Sequence, residues 1–159
     1  MFKKILVPLD GSTLATKIMP QVADLAKSQK SEITLLTVGS SSNIALIAEA
    51  APSLIEETLG SLKTAAEKNL AEVANTLKAK GLRVNWVYRE GVPAREIIHY
   101  ADEARCDLIA MATHGRGEIA WVLGSVAEQV VTHASVPVLL MRVLKGQPLV
   151  EKEQFPGGP

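Results

Sequence analysis

Residues 107–126 read Asp-Leu-Ile-Ala-Met-Ala-Thr-His-Gly-Arg-Gly-Glu-Ile-Ala-Trp-Val-Leu-Gly-Ser-Val. An apolar run, Leu108 to Ala112, ends in a polar turn that holds Gly115 and Gly117. A helical pattern follows, in which Gly124 precedes a hydroxyl residue, Ser125. Strand, glycine loop and helix N-terminus, in that order, set backbone N–H groups and the positive end of a helix dipole around an anion. The same order also makes an ordinary strand-to-helix turn, in which glycine only reverses the chain. Anion binding is therefore the chemistry to test against the rest of the sequence.

Other polar groups offer less. Asp10 sits in a second turn, Asp10-Gly11-Ser12, and serves equally well as a ligand-facing carboxylate or as a cap of the helix that follows. His114 has no serine or cysteine nucleophile with a supporting acid around it, so it reads as a loop histidine. Arg116 either pairs with a phosphate or is a solvated loop charge. Cys106 reads as a small buried residue, and Trp86 and Tyr88 as core and edge packing rather than a stacking platform. Neither a carboxylate pair nor histidines at metal-ligand spacing point to a hydrolase.

The elements that must hold these groups alternate regularly. Lys4 to Leu9 is a short apolar run of the kind buried on both faces of a parallel sheet. Leu14, Ile18, Val22 and Leu25 then recur at helical spacing, which predicts a helix over residues 12–28 with Ser12 as N-cap and a kink at Pro20. Ile33 to Val38 is a second strand, closed by Gly39 and three serines. Residues 43–56 read as a partly helical flap. Leu59 to Leu77 marks a long amphipathic helix with Gly81 as its terminating glycine. Val84, Trp86 and Tyr88 alternate with more polar positions, as in an edge strand. Pro93 opens a helix with Ile97, Ile98 and Ala101 facing inward. Asp107 to Ala112 is the fourth strand. Ile119, Val122, Leu123, Val126 and Val130 mark a helix after it, and Val136 to Met141 is the fifth strand.

Five alternations of strand and helix predict a three-layer α/β domain with an open parallel five-stranded sheet and helices on both faces. Its crevice lies at the carboxyl ends of the strands, where the strand order reverses. The loops leaving strands one, two and four would bring Asp10, Val38-Gly39 and the Thr113–Gly117 turn to that one crevice.

Composition narrows the setting. With 159 residues, 47% apolar and 21% charged, the chain fits one globular domain, expected over residues 1–143 with a mobile tail over 144–159. Seventeen basic residues balance seventeen acidic ones, which argues against nucleic acid and acidic membrane as partners. No run approaches the roughly 20 apolar residues of a membrane span. A single cysteine and the absence of a signal-peptide pattern point to a cytoplasmic protein.

Several of these stretches together resemble the universal stress protein family. They are Ile5-Leu-Val-Pro-Leu-Asp-Gly-Ser12, Gly91-Val-Pro93, Asp107 to Arg116, Gly124-Ser-Val-Ala-Glu128 and Ser135-Val-Pro-Val-Leu139, covering about residues 2–142. The resemblance implies strand order 3-2-1-4-5 and a homodimer joined through the last strand, here Val136 to Met141. Some members of the family bind ATP and others do not. The binding pattern is Gly-x-x-Gly, nine residues, then Gly followed by Ser or Thr. Here Ala112 stands in place of the first glycine, and only eight residues, Arg116 to Leu123, separate Gly115 from Gly124.

Carried over by position, Gly115, Gly124 and Ser125 would contact the phosphates, with Arg116 and Val126 beside them. Asp10 would accept from the ribose hydroxyls, with Ala112 close by, and Pro8, Val38 and Met111 would line the adenine. The implied ligand is ATP, or AMP or ADP, with Mg or Mn accompanying the phosphates. The implied role is a dimeric stress-response or signalling module with at most slow, incidental ATP hydrolysis. Two other readings stay open: a nucleotide-free scaffold dimer, and an enzyme of the wider ATP-binding α/β group. Against the last, the sequence holds neither His-x-Gly-His nor Ser-Gly-Gly-x-Asp-Ser.

The shortened spacing leads to a prediction about the nucleotide. If the loop absorbs the missing residue, the phosphate cradle shrinks while base and ribose contacts persist. Calorimetry should then find ATP, ADP and AMP within about tenfold of one another, a spread of roughly 1.4 kcal/mol. A hundredfold preference for ATP over AMP would contradict a weakened cradle.

Overall fold

The computed structural model describes residues 1–113 and 123–142. Five parallel strands form one sheet: β1 (Lys4–Pro8), β2 (Glu32–Ser40), β3 (Arg83–Gly91), β4 (Leu108–Ala112) and β5 (Val138–Met141). Their order is β3-β2-β1-β4-β5, as the resemblance implied. The helices are α1 (Thr13–Thr16), α2 (Met19–Gln29), α3 (Ser41–Ala50), α4 (Ile55–Ala79), α5 (Pro93–Glu103) and α6 (Ser125–His133), with a 3-10 turn at Pro52–Leu54.

Two cores sandwich the sheet. On one face Ile5, Val7, Ile33 and Leu35 meet Val22 and Ala26 of α2 and Leu70, Ala74 and Leu77 of α4. On the other, Leu6, Leu36, Ile109 and Met111 meet Ile97 and Ala101 of α5 and Ala127 and Val130 of α6. Burial on both faces explains why strands one and four read as unbroken apolar runs.

The register of β1 has a consequence at its end. The N–H of Lys4 donates to Asp107 Oδ1 at 3.1 Å, and its carbonyl accepts from the Asp107 N–H at 3.0 Å, so Lys4 faces β4. Leu9 donates to the Leu36 carbonyl at 2.8 Å and so faces β2. Backbone groups alternate along a strand, which turns Pro8 toward β4, as Lys4 and Leu6 are. Proline has no N–H to give there. Pairing of β1 with β4 is confined to Ile5↔Leu108 and Leu6↔Ile109, whereas pairing of β1 with β2 runs on through Pro8. The sheet therefore opens between β1 and β4, where the strand order reverses.

Several local expectations are corrected. The helix expected over 12–28 is two helices, α1 and α2, because Pro20 takes a place in the first turn of the second, where its missing N–H costs nothing. The helix after β4 was expected to take in Leu123, yet it begins at Ser125. Gly124 is extended (ψ 147°), and its N–H donates to the Thr113 carbonyl at 2.8 Å instead of joining a helix. Ile119 and Val122 lie outside the described residues. The fifth strand starts at Val138, past Pro137, rather than at Val136. Trp86 is 37% exposed on the edge strand, and Ile98 is only half-buried. The stretch read as a partly helical flap is helical as expected, in α3 and the 3-10 turn, with the Ser40 hydroxyl accepting from the Ser42 N–H at the start of α3.

Gly81 ends α4 as expected. Its φ is +82°, its N–H donates to the Lys78 carbonyl at 2.9 Å, and the Leu82 N–H reaches the Leu77 carbonyl at 3.3 Å. This is the paired bonding of a left-handed helix terminus. A side chain there is strained, so Gly81→Ala should lower stability by about 1–2 kcal/mol. Urea unfolding should show an earlier midpoint with an unchanged slope; an unmoved midpoint would contradict the assignment.

Candidate functional site

A cavity of about 460 Å³ lies at the carboxyl edge of the sheet, where β1 and β4 part. Its polar rim begins at Asp10. Oδ1 accepts the Ser12 N–H at 2.8 Å, and the Ser12 hydroxyl accepts the Ala15 N–H at 3.2 Å. The carboxylate thus shapes its turn while remaining exposed at the cavity mouth. Asp10 thus holds a turn and also lines the cavity.

Pro8 lines the cavity beside it, with Val38 from the end of β2 and Met111 and Ala112 from the end of β4. Buried Thr37 joins the ends of two strands, its hydroxyl donating to the Leu9 carbonyl at 2.9 Å. Gly124 and Val126 complete the side nearest α6. The Gly124 carbonyl accepts the Glu128 N–H at 2.8 Å, the first bond of that helix. The N–H groups of Ser125, Val126 and Ala127 therefore have no acceptor within α6, and Gly124 has no side chain with which to cap it. A helix start of that kind favours an anion.

The structure thus brings seven of the ten sequence-predicted residues to one cavity: Pro8, Asp10, Val38, Met111, Ala112, Gly124 and Val126. Ser125 is exposed and offers the site its backbone rather than a lining side chain. Gly115 and Arg116 lie outside the described residues, as does His114.

The other wall was not anticipated. Leu59, Leu62 and Ala66 of α4, Ile44 of α3 and Tyr88 of β3 all line the same cavity. Tyr88 reaches it because Gly39 has no side chain. A Cβ on Gly39 would overlap the Tyr88 hydroxyl and lie 3.0 Å from Cζ. The spacing of Gly39 and Tyr88 in the sequence carries no sign of this, because parallel register aligns Thr37 with Tyr88 only once the sheet is built. Burial, then the nearby Glu90 and Glu67, push the Tyr88 hydroxyl above its ordinary pKa, so it remains a protonated donor near neutrality. Beyond this wall, Arg89 pairs with Glu103 and with Glu96 at 3.7 Å and lies 4.8 Å from the centre of the Tyr100 ring, fastening β3 to α5.

Comparison with known proteins agrees with this architecture. The family model described as Universal stress protein family matches residues 1–142. Universal stress protein MJ0531 of Methanocaldococcus jannaschii is 33% identical over 144 residues, covering 89% of this chain and 83% of that protein. Universal stress protein YxiE of Bacillus subtilis is 32% identical over 148 residues, covering 89% and 100%. Among solved structures, hypothetical protein MJ0577 superimposes with a TM-score of 0.80 at 28% identity, covering 92% of this chain and 99% of that one. A protein of this family from Arabidopsis thaliana, solved with AMP bound, has a TM-score of 0.64 at 22% identity over 87% of this chain and 90% of its own.

The contact between Gly39 and Tyr88 can be tested as a coupling. Gly39→Ala should destabilise by displacing the phenol, and Tyr88→Ala by removing its packing. The double variant should lose less than the sum, with an interaction energy of about 0.5–3 kcal/mol. Additive losses in chemical unfolding would show that the two residues do not meet.

Proposed function

The chain belongs to the universal stress protein family, and we propose that it binds an adenine nucleotide, ATP or its shorter relatives ADP and AMP, in the cavity between β1 and β4. In this reading it works as a homodimeric stress-response or signalling module of the cytoplasm, and its output is a change in what the dimer presents to partner proteins. The observation that carries the reading is the convergence of seven expected residues on one cavity beside an uncapped helix start.

Each group has a chemical task. Pro8, Val38 and Met111 offer apolar surface to the flat faces of adenine. The exposed Asp10 carboxylate accepts from the ribose hydroxyls near Ala112, held at the rim by the Ser12 N–H. The first-turn N–H groups at Ser125 and Val126, with the close approach that Gly124 permits, meet the phosphates. Gly115 and Arg116 belong to the same binding set by position in the family pattern. Asp10 is the one carboxylate among the described lining residues. Mg or Mn, hard cations that bind through phosphates and one or two carboxylates, would therefore come with the phosphates and not from a protein cage.

A second reading has its own support. Asp10 already has a structural task in its turn, and Ala112 replaces a glycine of the binding pattern. Both suit a family member that keeps the fold as a nucleotide-free scaffold. Equilibrium binding of a fluorescent ATP analogue separates the two readings.

The dimer is proposed through β5. This strand is the sheet edge beside β4, and Leu139 on it is 38% exposed with no charge before Arg142. An apolar edge of this kind invites pairing. Light scattering at tens of micromolar should give twice the chain mass, and a monomer would rule this interface out.

For the nucleotide, Asp10→Ala should cost roughly 1.5–3 kcal/mol of binding, the value of a hydrogen bond to a charged group. Gly124→Val should impair binding by at least as much, because a branched side chain blocks the approach to the helix start. Calorimetry that finds either variant binding ATP as tightly as the parent removes that residue from the site.

A further inference from the structure

The cavity straddles the edge of the sheet, and the residues proposed for the nucleotide occupy only part of it. Val38, Met111 and Val126 belong to the core on the α5–α6 face. Tyr88 packs into the opposite core, and Leu59, Leu62 and Ala66 are on α4, which covers that opposite face. The two walls meet where Val38 is followed by Gly39, beneath the Tyr88 phenol.

The α4 wall has a distinct chemistry. Leu59, Leu62, Ala66 and Ile44 contribute only hydrocarbon, and Leu62 is 48% exposed although it lines a cavity. Of the hydroxyls nearby, that of Thr37 is bonded to the Leu9 carbonyl and that of Ser40 to the Ser42 N–H. The Tyr88 hydroxyl remains. Among the described residues, charged groups stand outside this wall's lining: Lys63 is 5.9 Å from the centre of the Tyr88 ring, and the Glu90 side chain lies on the same face of Gly39 as the phenol. A peptide strand laid on this wall would leave its N–H and C=O groups without partners, which is costly when buried. An ion would find no charged side chain among the described residues that line this wall. Small uncharged hydrocarbon meets neither penalty.

We propose that the α4 side of the cavity is a separate compartment for an uncharged alkyl or aryl group. The group is carried as a substituent on the adenine of a bound nucleotide, or it enters as a free apolar molecule beside it. The compartment stands on its own wall; only the nucleotide-borne source rests on the function proposed above.

The test uses the full chain and a neutral, environment-sensitive probe, N-phenyl-1-naphthylamine. The parent should take up one probe per chain with a rise in emission. Leu62→Arg, on an exposed position that folding tolerates, and Ala66→Trp, which fills the compartment, should each weaken binding at least tenfold. In parallel, calorimetry compares N6-hexyl-AMP with AMP. Each buried methylene is worth about fourfold in affinity, so two of them already exceed tenfold. A tenfold or greater advantage for N6-hexyl-AMP in the parent, shrinking toward none in Ala66→Trp, supports the substituent as the source. Displacement of the probe by hexanol without that advantage supports the free molecule. A parent that binds neither the probe nor N6-hexyl-AMP better than AMP overturns the proposal, as does parent-like probe binding by both wall variants. If AMP itself does not bind but the probe does so in a wall-dependent way, the nucleotide reading falls and the compartment stands.

Discussion

The ladder between β1 and β4 is two residue pairs long, and the site exists because it stops there. Below the stop the strands are firmly joined. Both carboxylate oxygens of Asp107 accept backbone N–H groups, from Lys3 at 2.8 Å and Lys4 at 3.1 Å. Above it, Pro8 faces β4 without a donor, and the strands diverge around a cavity. The missing hydrogen bond lies at the sheet edge, where solvent or a ligand can replace it, and the open end is tolerated on that account. β1 does not drift, because Leu9 and Thr37 keep its last residues bonded to β2. A fixed side and a free side at one strand end make a crevice with a rigid floor.

The second constraint is the length of α4. Its 25 residues span about 37 Å, more than the roughly 30 Å of the nine-residue strands it covers. Its buried residues, Leu70, Ala74 and Leu77, are all in the C-terminal half. The N-terminal half overhangs the strand ends, and α3 and the 3-10 turn bridge back to it from β2. The overhang supplies the wall that the sheet cannot. Tyr88 reaches that wall from the edge strand across the bare backbone of Gly39, so an absent side chain in β2 sets the position of a present one in β3.

How much of this the sequence disclosed depended on range. Strands buried on both faces announced themselves as short apolar runs, and the terminating glycine of α4 was visible as Gly81. Pro20 was visible too, but whether it kinks one helix or starts a second depends on where the chain must turn to pack Val22 and Ala26 under the sheet. The start of α6 was misread because Leu123 continues an apolar stripe. A bond from Gly124 to Thr113, eleven positions away, decided the matter, and periodicity cannot register a bond of that range. The same limit applies to the site. The Asp10 turn is a local motif and was legible, and the Gly124-Ser125 pair was visible as a pair, though not as the place where α6 begins. The α4 wall arises from parallel register and helix overhang, and Tyr88 read as packing because its cavity-facing role exists only in the assembled sheet.

The placement of charge constrains what the proposed site accepts. Asp10 belongs to the loop after β1, and the helix start that favours an anion follows β4, on the other side of the gap. An anion drawn to α6 gains from dipole and N–H groups, while an anion near Asp10 meets a like charge. Free phosphate can use one end of the site and must avoid the other. A nucleoside phosphate has hydroxyl donors to offer the carboxylate at one end and an anion for the helix start at the other, with an apolar base between Val38 and Met111. Recognition would then depend on the distance between donor and anion within the ligand more than on its total charge. That fits a chain whose seventeen basic and seventeen acidic residues provide no net field to gather polyanions.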